Sequence, residues 1–172
     1  MKIGKNQSNY GGIILLNTAY KIYSKIITRQ LNALAEVILS KEQQGFHKNR
    51  TCVDCVFTIS QIIEKHSKFN VPTYLAFIDY VKAFDKINRG KLWTILKIKV
   101  KIGTTTKDGR KINQGVRQEC PLSPTLFNFY IDHVISRWIN ETKEYFKDRT
   151  PVRTLLYADD QVIIANLENT LQ

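Results

Sequence analysis

The chain has 172 residues, 43% of them hydrophobic and 24% charged, which suits one folded domain with a real core and excludes a disordered tail. Its net charge is +11, from 26 Lys and Arg against 15 Asp and Glu, and such an excess fits a polyanionic partner, though a merely basic chain is the plain alternative. The longest apolar runs, such as Ile13-Ile14-Leu15-Leu16, span only a few residues and leave no membrane segment. Met1-Lys2-Ile3-Gly4-Lys5 leads into polar residues with no signal-peptide core, so an intracellular place, nuclear or cytoplasmic, is expected rather than secretion. Three cysteines without such a signal read as free thiols. Cys52 and Cys55 have metal or redox spacing, but no second Cys or His pair completes a zinc site, and packing on a helix face is the reading preferred.

In chain order, residues 18–39 predict an amphipathic helix with Ile22, Tyr23, Ile26, Ile27, Leu31, Leu34 and Ile38 on its apolar face. Lys21, Lys25 and Arg29 share a stripe that is either a solvated face or a phosphate contact. A basic loop follows from Glu42 to Arg50, where Phe46 either stacks on a base or anchors the loop to the core. Thr51 and Asp54 make a capping box for a second helix, whose apolar face reads Val53, Val56, Phe57, Ser60 and Ile63. Asn70-Val71-Pro72 stops that helix, and the strand 73–79 delivers Asp79 at its end.

A short helix is expected around Lys91 to Leu96. Lys99 to Ile102 and Arg110 to Asn113 are expected to pair as a hairpin through Lys107-Asp108-Gly109. Gln114 to Pro121 reads as a loop, and Ser123-Pro124 opens a helix carrying Leu126, Phe127, Tyr130, Ile131, Val134, Ile135 and Trp138. Finally, Thr154 to Tyr157 and Gln161 to Ala165 flank Ala158-Asp159-Asp160, a β-hairpin with two carboxylates at its turn. For the Asp-Asp pair alone a surface turn is the simpler reading. With Asp79 at a neighbouring strand end, the three carboxylates instead suit two Mg²⁺ ions and phosphoryl transfer. The class is α+β, an antiparallel sheet packed with helices.

Five ordered stretches resemble the reverse transcriptase domain of non-LTR (LINE-like) retrotransposons. Asn9 to Ile22 and Glu42 to Arg50 with the following helix look like the two finger motifs, Phe77 to Asp85 like motif A, Gln114 to Pro124 like motif B, and Tyr157 to Asp160 like motif C. The resemblance implies a partial right-hand polymerase, with residues 1–70 as partial fingers and 71–172 as partial palm, plus a finger-like hairpin near 99–114. It implies RNA-directed DNA synthesis in which Asp79, Asp159 and Asp160 are catalytic and hold two Mg²⁺ ions, with Mn²⁺ as a substitute. Phe84 would exclude a ribose 2′-hydroxyl, Gln118 and Arg117 would bind the nucleotide, and Lys48, Arg50 and Lys82 would contact nucleic acid. Asp85 would make a structural hydrogen bond. The partners would be an RNA template, a DNA primer and deoxynucleoside triphosphates.

Four departures from the pattern imply weak or no activity. Glu119 stands where motif B has Gly, and Gly11 and Ile14 stand where the first motif has Arg and Ser. The segment between motifs A and B is short, and the chain is expected to lack a thumb and an endonuclease domain. The competing readings are a non-catalytic nucleic-acid binder and another palm polymerase, such as a group II intron maturase.

Overall fold

The computed structural model describes residues 16–100, 114–116, 119–143 and 152–167. The elements run α1 (Thr18–Ile38), α2 (Cys52–Lys68), β1 (Tyr74–Asp79), α3 (Arg89–Val100), α4 (Ser123–Glu141), β2 (Thr154–Tyr157) and β3 (Asp160–Ala165). The strands form one antiparallel sheet in the order β1-β3-β2. Among the described residues no helix is long and apolar enough to cross a membrane.

The helix ends follow local chemistry. Asn17 caps α1 by accepting the Tyr20 N–H at 2.8 Å. The Asp54 carboxylate accepts the Thr51 N–H at 2.6 Å and its hydroxyl at 2.9 Å, which ties the start of α2. Asn70, at φ +51°, ends α2 in a left-handed turn, with Val71 N–H donating to the His66 carbonyl and Asn70 N–H to that of Ser67. That is a Schellman closure, and Pro72 then prevents the helix from resuming. Asn88 caps α3 through the Lys91 N–H at 3.0 Å.

The main core is built on α4. Phe127, Phe129, Ile131 and Ile135 are buried there against Leu31 and Ala35 of α1, Leu92 and Leu96 of α3, and Leu156 of β2. Each such side chain contributes roughly 2 kcal/mol on burial. Helix α1 buries only Leu31 and Ala35 among its apolar groups, so α4 is the element around which the others settle. A polar stripe on α4 sets their places. Thr125 donates to Asn32 of α1 at 2.7 Å, Asn128 donates to the Gly45 carbonyl at 2.9 Å, and Asp132 accepts the Ser40 N–H at 2.8 Å while pairing with Lys99. On the other face of the sheet, Leu155, Val162 and Ile164 pack with Ile59 and Ile62 of α2.

Three expectations are corrected. The predicted apolar face of α1 points largely outward, with Ile22 57% and Tyr23 62% exposed and Ile26, Leu34 and Ile38 exposed as well. Of that face Leu31 is buried and Ile27 partly so, and Ser24 and Ala35 complete the buried side, because the two small residues let the helix approach its neighbours closely. Likewise α2 exposes Val53, Val56, Phe57 and Ile63 and turns Cys55, Ile59 and Ile62 inward. Lys99 and Val100 are not strand residues but the end of α3. Leu92, Ile95, Leu96, Lys99 and Val100 recur at helical spacing and find partners in the core and in Asp132, which overrides the Lys/Ile/Val alternation. The rest of the expected hairpin, 101–113, lies outside the described residues.

Candidate active site

The register of the sheet brings the carboxylates together. Asp79, the last residue of β1, lies directly opposite Asp160, the first residue of β3, and Tyr157 faces Asp160 from β2. Asp159 occupies the two-residue turn between them. Opposed like charges cost energy across a strand pair, and the exposure of Asp79 and Asp160 keeps that cost low. A divalent cation reverses its sign, and all-oxygen donors suit Mg²⁺. Among the described residues no three His, Cys, Asp or Glu side chains converge closely enough to hold a metal as they stand. The backbone sets Asp79 opposite Asp160 with both side chains exposed, and Asp159 is half-buried in the turn.

The turn is held from an unexpected direction. Ala158 sits at φ +57°, so only the first central residue of the turn is left-handed, as in a type II′ hairpin. Gln43, 1% exposed, donates its Nε2 to the Ala158 carbonyl at 3.0 Å and accepts the Ala158 N–H on Oε1 at 3.2 Å. The same Oε1 accepts the Gly45 N–H at 2.8 Å. A Cβ on Gly45 would stand 2.2 Å from the Ala158 nitrogen, so no larger residue fits there. The loop is bridged to β2 by Gln44 N–H to the Leu156 carbonyl and Leu156 N–H to that of Glu42. It is tied to α1 by His47 and Glu36, 3.0 Å apart. Burial pushes the Glu36 carboxyl up, but the hydrogen bonds from His47 and the Lys48 N–H outweigh it and hold the group below its ordinary value.

Beside Asp79, the Tyr80 hydroxyl donates to Gln161 Oε1 at 2.5 Å, and Gln161 in turn donates to Thr154 at 2.9 Å, which fixes the end of β1 across the sheet. Burial pushes the Tyr80 phenol up, so it stays protonated as the donor. A cleft of about 420 Å³ opens here, lined by Asp79, Tyr80, Ile87, Phe127 and Ile131 among others. Phe84 stacks on Phe127 at 4.5 Å and meets Phe46 edge-on at 6.1 Å. Phe46 therefore anchors its loop to the core while keeping 46% of its surface exposed.

The remaining expected residues are placed less uniformly. Lys48 and Lys82 are exposed, Lys82 in a turn at φ +54°. Arg50 donates to the Gln43 carbonyl at 3.1 Å, so its guanidinium is at least partly spent on the loop. Arg117 and Gln118 lie outside the described residues, as do Gly11 and Ile14. Glu119 is exposed at φ +64°, a backbone region that disfavours any side chain. Cys52 is exposed, Cys55 is buried, and both are free thiols on α2. Sequence reasoning passed over Gln43, Gly45 and Tyr80. The Gln and Gly stood in a polar loop whose visible signals were its charge and Phe46.

A three-stranded antiparallel sheet backed by helices, with carboxylates at a strand end and a hairpin turn, defines the palm of a right-hand polymerase. The apo telomerase of Candida tropicalis, truncated from its C-terminal domain, shares this fold with a TM-score of 0.52 and 16% identity, over 88% of this chain and 35% of that one. The model of the reverse transcriptase (RNA-dependent DNA polymerase) family matches residues 3–172, and the chain belongs to that family.

The relatives it matches are proteins of a transposon and of retrotransposable elements. It is 25% identical to the 149 kDa protein of transposon TX1 from Xenopus laevis over 91% of this chain and 14% of that protein. It is 32% identical to the Pol polyprotein of the R2 element of Nasonia vitripennis over 58% of this chain and 12% of that one. For the R2DM polyprotein of Drosophila melanogaster the figures are 24%, 86% and 16%. The chain thus spans about a seventh of the length of these relatives. It is thus a domain of the reverse transcriptase family, a class that works with divalent metal ions and binds template and primer.

Proposed function

We propose that Asp79, Asp159 and Asp160 hold two Mg²⁺ ions and that the chain adds deoxynucleotides to a DNA primer on an RNA template. The observation that carries this reading is the register that sets Asp79 against Asp160, with Asp159 in the adjoining turn. When bound, the ions supply activation of the primer hydroxyl and neutralisation of charge on the triphosphate.

The chain's own residues do the rest. Tyr80 and Gln161 keep the Asp79 strand end in line with β3. Phe84, gripped by Phe127 and Phe46, cannot swing aside, and a ring so held suits the exclusion of a 2′-hydroxyl. Lys48 and Lys82 offer exposed cations to phosphates, and Gln118 and Arg117 line the nucleotide by their position in motif B. Arg50 acts chiefly through the loop that it braces. Glu119 sets a further negative charge near the triphosphate and slows the reaction.

Primer extension on an RNA template, with Mg²⁺ and deoxynucleotides, tests the proposal beside Asp159→Ala, with circular dichroism to show that both fold. The expected result is metal-dependent extension that disappears in the variant. A folded wild type that extends nothing, yet binds nucleic acid in a salt-sensitive way that survives Asp159→Ala, would overturn it in favour of a non-catalytic binder.

A further inference from the structure

We propose that Gln43, which lies outside the carboxylate set, is a positioning residue for the catalytic turn and fixes the left-handed Ala158 from which Asp159 projects. The inference rests on the proposed role of the aspartates. Gln43 engages both backbone polar groups of one residue, the N–H at 3.2 Å and the carbonyl at 3.0 Å, and that residue carries the positive φ of the turn. The amide can face only one way, because its Oε1 receives two N–H donors, from Ala158 and Gly45, and a flipped NH₂ would meet both head-on. Asn128 of α4 holds the Gly45 carbonyl at 2.9 Å, so the clamp is referred to the central helix and not to a mobile loop end.

An alanine resists φ near +60°, and nothing in Ala158 itself favours that state. Without the clamp, relaxation at Ala158 would rotate the next peptide and change the place of Asp159 relative to Asp79 and Asp160. Gln43 touches neither substrate nor metal in this account. It acts through the turn.

The test uses the full 172-residue chain as wild type, Gln43→Met, the double variant Gln43→Met with Ala158→Gly, and Asp159→Ala. Two quantities are read: amide hydrogen exchange at Tyr157 and Asp160, which flank the turn, and the apparent Kd for Mn²⁺. Gln43→Met is expected to speed exchange and weaken Mn²⁺ binding at least tenfold each. Adding Ala158→Gly recovers most of both losses, because glycine takes a positive φ without help. A residue that merely filled the loop would not be rescued by relieving the positive φ of Ala158, so equal losses in the single and double variants overturn the proposal. Unchanged exchange in a folded Gln43→Met does so as well.

If wild type and Asp159→Ala bind Mn²⁺ alike, the metal reading of the aspartates fails while the exchange measurement still decides the role of Gln43. Should Gln43→Met not fold, Gln43→Glu retains the acceptor and loses the donor. The exchange comparison is then made with and without Ala158→Gly, and absence of rescue there again overturns the proposal.

Discussion

Glu119→Gly separates two effects that the wild-type residue combines. At φ +64°, a side chain bearing a Cβ costs about 1–2 kcal/mol relative to the right-handed region. Glycine removes that strain but gives the unfolded chain more freedom, which costs about 0.4–1 kcal/mol. The net gain is about 0.5–1 kcal/mol, or roughly 1–3 °C in Tm for a chain of this size. Glu119→Ala removes the same charge and keeps the Cβ, so it should leave Tm near the wild-type value. Thermal and urea unfolding followed by circular dichroism measure both. Nucleotide titration adds the second effect, since Ala and Gly should both raise deoxynucleotide affinity by removing a like charge. A Glu119→Gly protein no more stable than wild type, or a Glu119→Ala protein that gains as much, refutes the backbone argument. Unchanged nucleotide affinity in both variants refutes the electrostatic one.

Other substitutions probe the supports of the site. Gly45→Ala drives a Cβ into the backbone of Ala158, which cannot yield as a side-chain tip could, and should cost about 2–3 kcal/mol, with primer extension falling further than Tm alone explains. Lys99→Met leaves the buried Asp132 carboxylate without its cation and should destabilise the α3–α4 pair by about 3 kcal/mol in urea titrations; a loss under 1 kcal/mol would show the pair to be dispensable. The N–H and hydroxyl of Thr51 hold the Asp54 carboxyl below its ordinary value, so its contribution is present above a pH of about 4 and is lost as pH falls through the lowered folded value. The Tm difference between wild type and Asp54→Asn should therefore shrink toward zero on acidification. A difference that persists at pH 2 counts against the cap.

Local signals carried much of the fold into the sequence. Asn17, Thr51 and Asn70 mark helix ends by their own hydrogen bonds, and the apolar runs around Asp79 and Asp159-Asp160 mark the three strands. The faces of α1 and α2 were misread because periodicity counts every apolar side chain equally, whereas burial depends on what arrives opposite. Ser24 and Ala35 are inside because they allow close approach, and no hydrophobic pattern rewards smallness. The extension of α3 was hidden by a stretch whose period fits a strand as well as a helix. Gln43 was hidden for another reason. Its meaning lies wholly in a contact with Ala158, far along the chain.

That separation shapes the order of folding. The β2-β3 hairpin can close locally within microseconds, but its turn meets its clamp only when segments 115 residues apart come together. Closing a loop of that length carries an entropic cost of about 4 kcal/mol, repaid only once α4 and the sheet have docked. The carboxylates should therefore reach their working geometry late, after most of the core has formed. Along a growing chain Gln43 leaves the ribosome well before Ala158 and must wait for it, so the turn is clamped only once the hairpin is complete.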